Sequence, residues 1–332
     1  MHTIKKNCVL VSIFLLSISP LFAQAASAPG RYALSLNPLF GVLYGQSEEI
    51  VYKYTGRDQY LSELLWDLKP LVFLGLAADF GPKDPFQRNG FVATGSLKFG
   101  LPLKSGALED RDWNNWQYDY LTHFSRHDAY TGFTMLADIR GGYSWRLTDY
   151  LALSALGEFS YMRFSWTGKD GYSQYPPDDS SKNFPPWNSN LPKTPFSGIG
   201  IKYLQNWYTF SPGFSLKGRL SHQFFVEGNF SYTPLIYCVD KDEHLVRHLT
   251  FWDICYFGHY IQGGGGLTFT PVHDVDLSLT VAYRYITGTR GISYMQKGND
   301  PVAQTPTDGA GVGYKTLDIT LAAKIRVWGR EH

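Results

Sequence analysis

Phe224-Phe225-Val226-Glu227-Gly228-Asn229-Phe230-Ser231-Tyr232-Thr233-Pro234-Leu235-Ile236 alternates apolar with small or polar residues as far as its proline. Counted by twos, Glu227, Asn229, Ser231 and Thr233 share one side, and Val226, Phe230, Tyr232 and Ile236 the other. Successive side chains of an extended strand point to opposite faces, so the segment offers one apolar and one polar face. A half-buried strand of a soluble sheet would do the same. Repetition separates the two cases: segments of about ten alternating residues, recurring between turn residues, are the signature of a membrane-spanning β-barrel.

Extending the count exposes a conflict. Val239-Asp240-Lys241-Asp242-Glu243-His244 follows, and by simple alternation Asp240 and Asp242 fall on the lipid side. Pro234 resolves it. Proline cannot donate to the ladder and sits in strands at bulges, and one inserted residue reverses the facing of everything beyond it. With a bulge there, Asp240, Asp242 and His244 all point inward, above the membrane. Two carboxylates and an imidazole then share one space. An acid beside a histidine raises its basicity and fixes its tautomer, which suits a general base near neutral pH. A solvated acidic loop tip is the plain alternative for these six residues taken alone.

Ten extended runs follow the same pattern: 32–54, 63–80, 91–104, 130–147, 151–167, 199–217, 224–242, 251–270, 276–293 and 314–327. Gly56-Arg57-Asp58, Gly81 to Pro85, Thr148 to Tyr150, Gly218 to Gln223 and Pro271 to Asp274 read as turns. Ser105 to Asp128, Lys169 to Pro195 and Gln296 to Gly311 read as long polar loops. An even strand number with short turns at one end and long loops at the other predicts an all-β, ten-stranded antiparallel transmembrane β-barrel. Closure is required because hydrocarbon cannot satisfy an open sheet edge. No repeat or linker divides the chain, so residues 26–332 are expected to form one domain.

Residues 1–25 read as a secretory signal peptide. Lys5 and Lys6 precede the apolar run Val9 to Leu16, and Pro20 leads to Ala23-Gln24-Ala25, a small-x-small cleavage pattern. Aromatic residues make up 16% of the chain and charged residues 18%, too few charges and too many rings for an ordinary soluble domain. A formal net charge of +1 argues against a nucleic-acid partner.

A second acid pair, Asp110 and Asp112, stands in Glu109-Asp110-Arg111-Asp112-Trp113 near the start of the first long loop. Carboxylates held this close share protons unevenly and can hold a water between them. Asp110-Arg111-Asp112-Trp113, then Ser125-Arg126-His127, then Asp240-Lys241-Asp242-Glu243-His244 together resemble the omptin family of Gram-negative outer-membrane endoproteases, over the whole mature chain. That resemblance implies an aspartic-type (Asp/His) endopeptidase in the outer membrane with its active site facing the exterior. Asp110 and Asp112 would be the acid pair, with Asp242 orienting His244 to activate a water. Asp240 and Glu49 would form an acidic pocket for the basic residue before the cut, in peptide or protein substrates bearing dibasic sites. Two carboxylates there could hold an arginine fork. The resemblance also implies lipopolysaccharide as a lipid partner and candidate activator, with Arg163 as a matching contact, and no other cofactor or metal.

Other chemistries fit less well. His244 and His248 are spaced to share a face only on a helix, and this is a hairpin tip. Gly263 to Gly266 leads into no phosphate-binding helix, so close strand packing accounts for it. Ser125 lacks a nucleophile elbow, and Arg126 beside it reads as fixing the loop. Asp149, Asp274 and Asp276 belong to the turn side. The rival of a different class is a non-catalytic barrel, an adhesin or pore on the same scaffold. Cys238 and Cys255 are nearly equidistant from the hairpin's middle, which leaves a cross-strand disulfide and two separate thiols as open readings.

Overall fold

The structure, a computed structural model, describes residues 31–329 apart from 54–58, 116, 178–182, 273 and 306–307. The expected signal peptide and the turn at Gly56 to Asp58 lie outside the described residues. Sixteen antiparallel strands close on themselves: β1 (Tyr32–Tyr52), β2 (Tyr60–Pro82), β3 (Gly90–Gly100), β4 (Lys104–Asp112), β5 (His123–Thr131), β6 (Thr134–Arg146), β7 (Leu151–Gln174), β8 (Thr194–Arg219), β9 (Phe224–Thr233), β10 (Ile236–His244), β11 (Leu249–Tyr256), β12 (His259–Val272), β13 (Val275–Thr287), β14 (Arg290–Lys297), β15 (Ala303–Gln304) and β16 (Ala310–Trp328). Closure is made by β16, which pairs with β1 from Leu34↔Trp328 to Val51↔Ala310.

Partner choice joins neighbouring strands end to end into longer staves. β3 and β4 both pair with β2, β5 and β6 with β7, and β9 and β10 with β8. β11 and β12 likewise run along β14 and β13, and both of those meet β16. Each interruption is a short irregularity within one stave.

The interruption at Pro234 is the bulge the alternation demanded. Thr233 is buried, Pro234 and Leu235 are exposed in succession, and Ile236 is buried again. The register with β8 moves from Gly213↔Ser231 to Ile236↔Thr209, one residue more on this stave than on its partner. Asp240, Asp242 and His244 are consequently inward and buried. Ile236 is corrected by the same fact. It lies beyond the inserted residue, so it faces the interior rather than lipid. The bulge is also one of a row: Phe257-Gly258 and Gly288-Thr289 interrupt the next two staves beside it, with Phe257, Gly258 and Gly288 at φ of 59°, 140° and 71°. At Gly258 a Cβ would meet the Thr287 carbonyl oxygen at 2.7 Å, so only glycine fits there.

The barrel is inside-out relative to a soluble protein. Phe40, Leu74, Leu76, Phe210, Phe214 and Leu321 are exposed on the outer wall. The lumen instead buries ion pairs, Lys98 to Asp318 at 2.8 Å and Arg284 to Asp138 at 3.3 Å. Burying charges costs several kcal/mol unless they are paired, and here they pair across the barrel. An apolar exterior around a polar interior fits hydrocarbon as the outer solvent. Towards the loop end the exterior changes character: Lys241–Glu243, Arg111–Glu63, Arg111–Glu109 and Lys315–Glu48 pair on the outer wall at 2.7, 3.1, 2.6 and 3.1 Å. Such a belt of charges marks the wall above the hydrocarbon. The inward residues of these same strand ends form the site.

Two long loops shrink. Residues 105–112 and 123–128 extend the staves as β4 and β5, and 169–174 lie in β7. Polar composition suggested loop there because, above the membrane, both faces of a strand can be wet.

Candidate active site

Asp242 and His244 stand two apart at the end of β10, on the inward face. His244 Nε2 lies 2.5 Å from Asp242 Oδ2. This contact fixes the imidazole, leaving Nδ1 as the ring nitrogen available to other partners. Phe251, opposite Asp242 on β11, packs edge-on against the ring at 5.8 Å. Arg247, from the exposed hairpin tip, reaches back with its guanidinium to Nδ1.

Asp110 and Asp112 lie on β4 itself, not in a loop. They sit opposite Leu64 and Ser62 of β2 and Ser125 and His123 of β5, so two ladders fix the pair. The Ser62 hydroxyl lies close enough to both carboxyls to favour their charged forms. Burial, and then the charge of Asp112, push the Asp110 carboxyl well above the usual carboxylate range. Burial raises Asp112 too, against the pull of Ser62 and the nearby His123, Arg247 and His244. Asp110 feels Asp242, and Asp112 feels His244. The acid pair and the Asp–His couple thus face each other across the barrel mouth, and the pair favours holding a proton.

Beneath them Glu49, Asp240 and Asp253 are buried together, 3%, 2% and 2% exposed. Asp240 accepts from the Tyr203 hydroxyl at 3.1 Å and from the Asp253 amide at 3.3 Å. Gln205 donates to the Tyr203 oxygen at 2.7 Å and accepts from Trp207 Nε1 at 3.1 Å. Tyr203 stacks on Trp66 with centroids 5.3 Å apart, and Trp166 and Phe164 continue the layer. An aromatic floor therefore separates the site from the lumenal ion pairs.

Residues 31–326 match the omptin family. The chain belongs to the omptin family. A plasminogen activator of Yersinia pestis is 28% identical, the match covering 97% of this chain and 99% of that one. The barrel superimposes on the outer-membrane protease OmpT of Escherichia coli with a TM-score of 0.77, at 18% identity, over 89% of this chain and 96% of that one. Membership places the chain among outer-membrane proteases.

All six residues singled out in this omptin sequence gather at one end of the barrel. Glu48, beside Glu49, points outward to Lys315. Arg126 pairs with Glu109 on the outer wall, a structural contact. Among the described residues no group of histidine, cysteine or carboxylate side chains is arranged for a metal ion. Sequence reasoning missed Asp253, Tyr203, Gln205 and Arg247. Asp253 was within reach: the hairpin symmetry that sets Cys238 opposite Cys255 sets Asp240 opposite Asp253. Tyr203 and Gln205 come from another stave, so no local spacing announces them.

Cys238 and Cys255 face each other in register as two buried, free thiols. Labelling the denatured, unreduced protein should therefore modify both Cys238 and Cys255. A chain that takes no label until reduced would show that export had oxidised the pair.

Proposed function

We propose that this omptin hydrolyses peptide bonds after basic residues, with a water activated by the Asp242–His244 couple opposite Asp110 and Asp112. The observation that carries this reading is the 2.5 Å contact between His244 and Asp242, made at a mouth whose far wall is the acid pair. His244 takes a proton from water at Nδ1 once Arg247 has moved off, and Asp242 stabilises the imidazolium that results. The hydroxide attacks the carbonyl carbon. A protonated carboxyl of the acid pair donates to the developing oxyanion, and His244 returns its proton to the leaving amine.

Glu49 and Asp240 supply negative charge for a guanidinium or ammonium before the cut. The charged outer belt supports a site facing the exterior. Arg163, held by Asn206 at 3.1 Å and lying over Phe133 on the outer wall, is suited to an anionic lipid headgroup, which supports lipopolysaccharide as an activator.

The test is cleavage of an Arg-Arg peptide by the refolded protein in lipid, with and without lipopolysaccharide. Hydrolysis between the arginines is expected, and no turnover in either condition would favour the non-catalytic barrel. Asp240→Asn should lower kcat/KM for basic peptides roughly tenfold or more, leaving neutral ones little changed. Equal losses on both would place Asp240 in support of the couple instead.

A further inference from the structure

Asp253 has no part in the mechanism above, yet it is one of three carboxylates enclosed in the same space. Asp240 is engaged at both oxygens, by the Tyr203 hydroxyl and the Asp253 amide. Asp253 Oδ1 and Glu49 Oε2 are different: each is fully buried and has no hydrogen-bond partner among the described residues. Buried carboxylate oxygens without donors are costly, and they are retained where a ligand supplies the donors.

We propose, resting on the acidic pocket above, that Asp253 is a specificity-determining residue that clamps an arginine guanidinium together with Glu49, so that the pocket selects arginine over lysine. The open acceptors lie on two strands, β1 and β11, with Asp240 of β10 as an anchored charge nearby. A guanidinium carries five N–H donors in a rigid plane and can engage two carboxylates at once. An ammonium has three donors on a compact, strongly hydrated centre and gains less from the second acid. Burial raises the Asp253 carboxyl to about 6, against the pull of Ser293 and with the Asp242 charge adding to the rise. Three acids this close repel one another, which favours a cation among them.

The experiment measures kcat and KM on three peptides that differ only before the cut: arginine, lysine and norleucine. Asp253→Asn is expected to lower kcat/KM for the arginine peptide by roughly 30-fold, mostly through KM, with a several-fold smaller loss for lysine and little change for norleucine. An unchanged arginine-to-lysine ratio, or equal losses on all three peptides, would overturn the proposal. Asp240→Asn and Glu49→Gln separate this from the pocket itself. If they erase the preference for basic residues while Asp253→Asn does not, only the role of Asp253 fails. If none of the three alters it, the pocket reading fails as well. Should Asp253→Asn not fold, Asp253→Ser takes its place: the wild-type preference for butylguanidine over butylamine as inhibitor, expected to be at least tenfold, should shrink in that variant, and an unchanged preference would overturn the role of Asp253. Equal inhibition of the wild-type protein would count against the clamp.

Discussion

Replacing His244 by alanine is expected to lower kcat/KM for an Arg-Arg peptide by at least ~100-fold, with the barrel still folded. That corresponds to about 2.7 kcal/mol of barrier, the scale of losing a positioned general base. Asp242→Asn should fall in the same range. The amide keeps the shape, but it cannot stabilise an imidazolium and can turn a donor towards Nε2, favouring the wrong tautomer. Asp110→Ala and Asp112→Ala should also lose at least ~100-fold, through the oxyanion side of the reaction. Losses in the four variants should not add, because the residues act as one unit. Undiminished turnover in His244→Ala would end the water-activation mechanism. Serine-directed reagents and chelators should leave activity intact; a loss on chelation that zinc restores would replace the Asp–His base with a metal-bound water.

The stability of these variants has its own sign. Asp110, Asp240 and Asp253 sit where burial and like charges raise their carboxyl pKa. A carboxyl that is easier to protonate when folded stabilises the fold at low pH, and that contribution fades as pH rises through the folded value. Neutral replacements at these positions therefore relieve repulsion at neutral pH. Well-folded variants are the expected outcome, so lost activity at Asp110 and lost selectivity at Asp240 and Asp253 can be assigned to the site rather than to unfolding.

The barrel was legible because period-two alternation survives wherever one face meets lipid and the other a polar lumen. Phe230 and Tyr232 outside, with Ser231 and Thr233 inside, show it. Legibility fails at the loop end. Residues such as Arg111 and Glu109 on the outer wall are as polar as Asp110 and Asp112 on the inner, so the pattern dissolves and a strand reads as loop. Most of the candidate site was readable through motif order. Tyr203, Gln205 and the facing of Asp253 depend on which staves adjoin, and closure of the ring decides that. Ile236 was misplaced for a sharper reason: a bulge can be inferred from the conflict it resolves, but not to the residue at which facing reverses.

That reversal gives the prediction with the largest effect. Deleting Leu235 removes the extra residue between Thr233 and Ile236, and the rest of the chain keeps its composition. Below the deletion, β9 keeps its pairing with β8 and β12, held by an apolar outer face that cannot be turned inward. Above it, each residue moves to the opposite face. Asp240, Asp242 and His244 turn outward, and Lys241 and Glu243, now paired on the outer wall, turn in. The neighbouring bulge at Phe257-Gly258 stays in place, so Asp253 still faces inward against a strand that no longer offers Asp240. Because the affected segment lies above the hydrocarbon, the barrel itself should still insert, with β-rich circular dichroism. Cleavage should fall by at least ~1,000-fold, since couple and pocket acid leave the site together. Leu235→Ala and Pro234→Ala keep the residue count and should retain activity within about tenfold, because strand facing follows number rather than side chain. If the deletion variant cleaved as well as Leu235→Ala, the inward facing of Asp242 and His244 could not depend on this bulge.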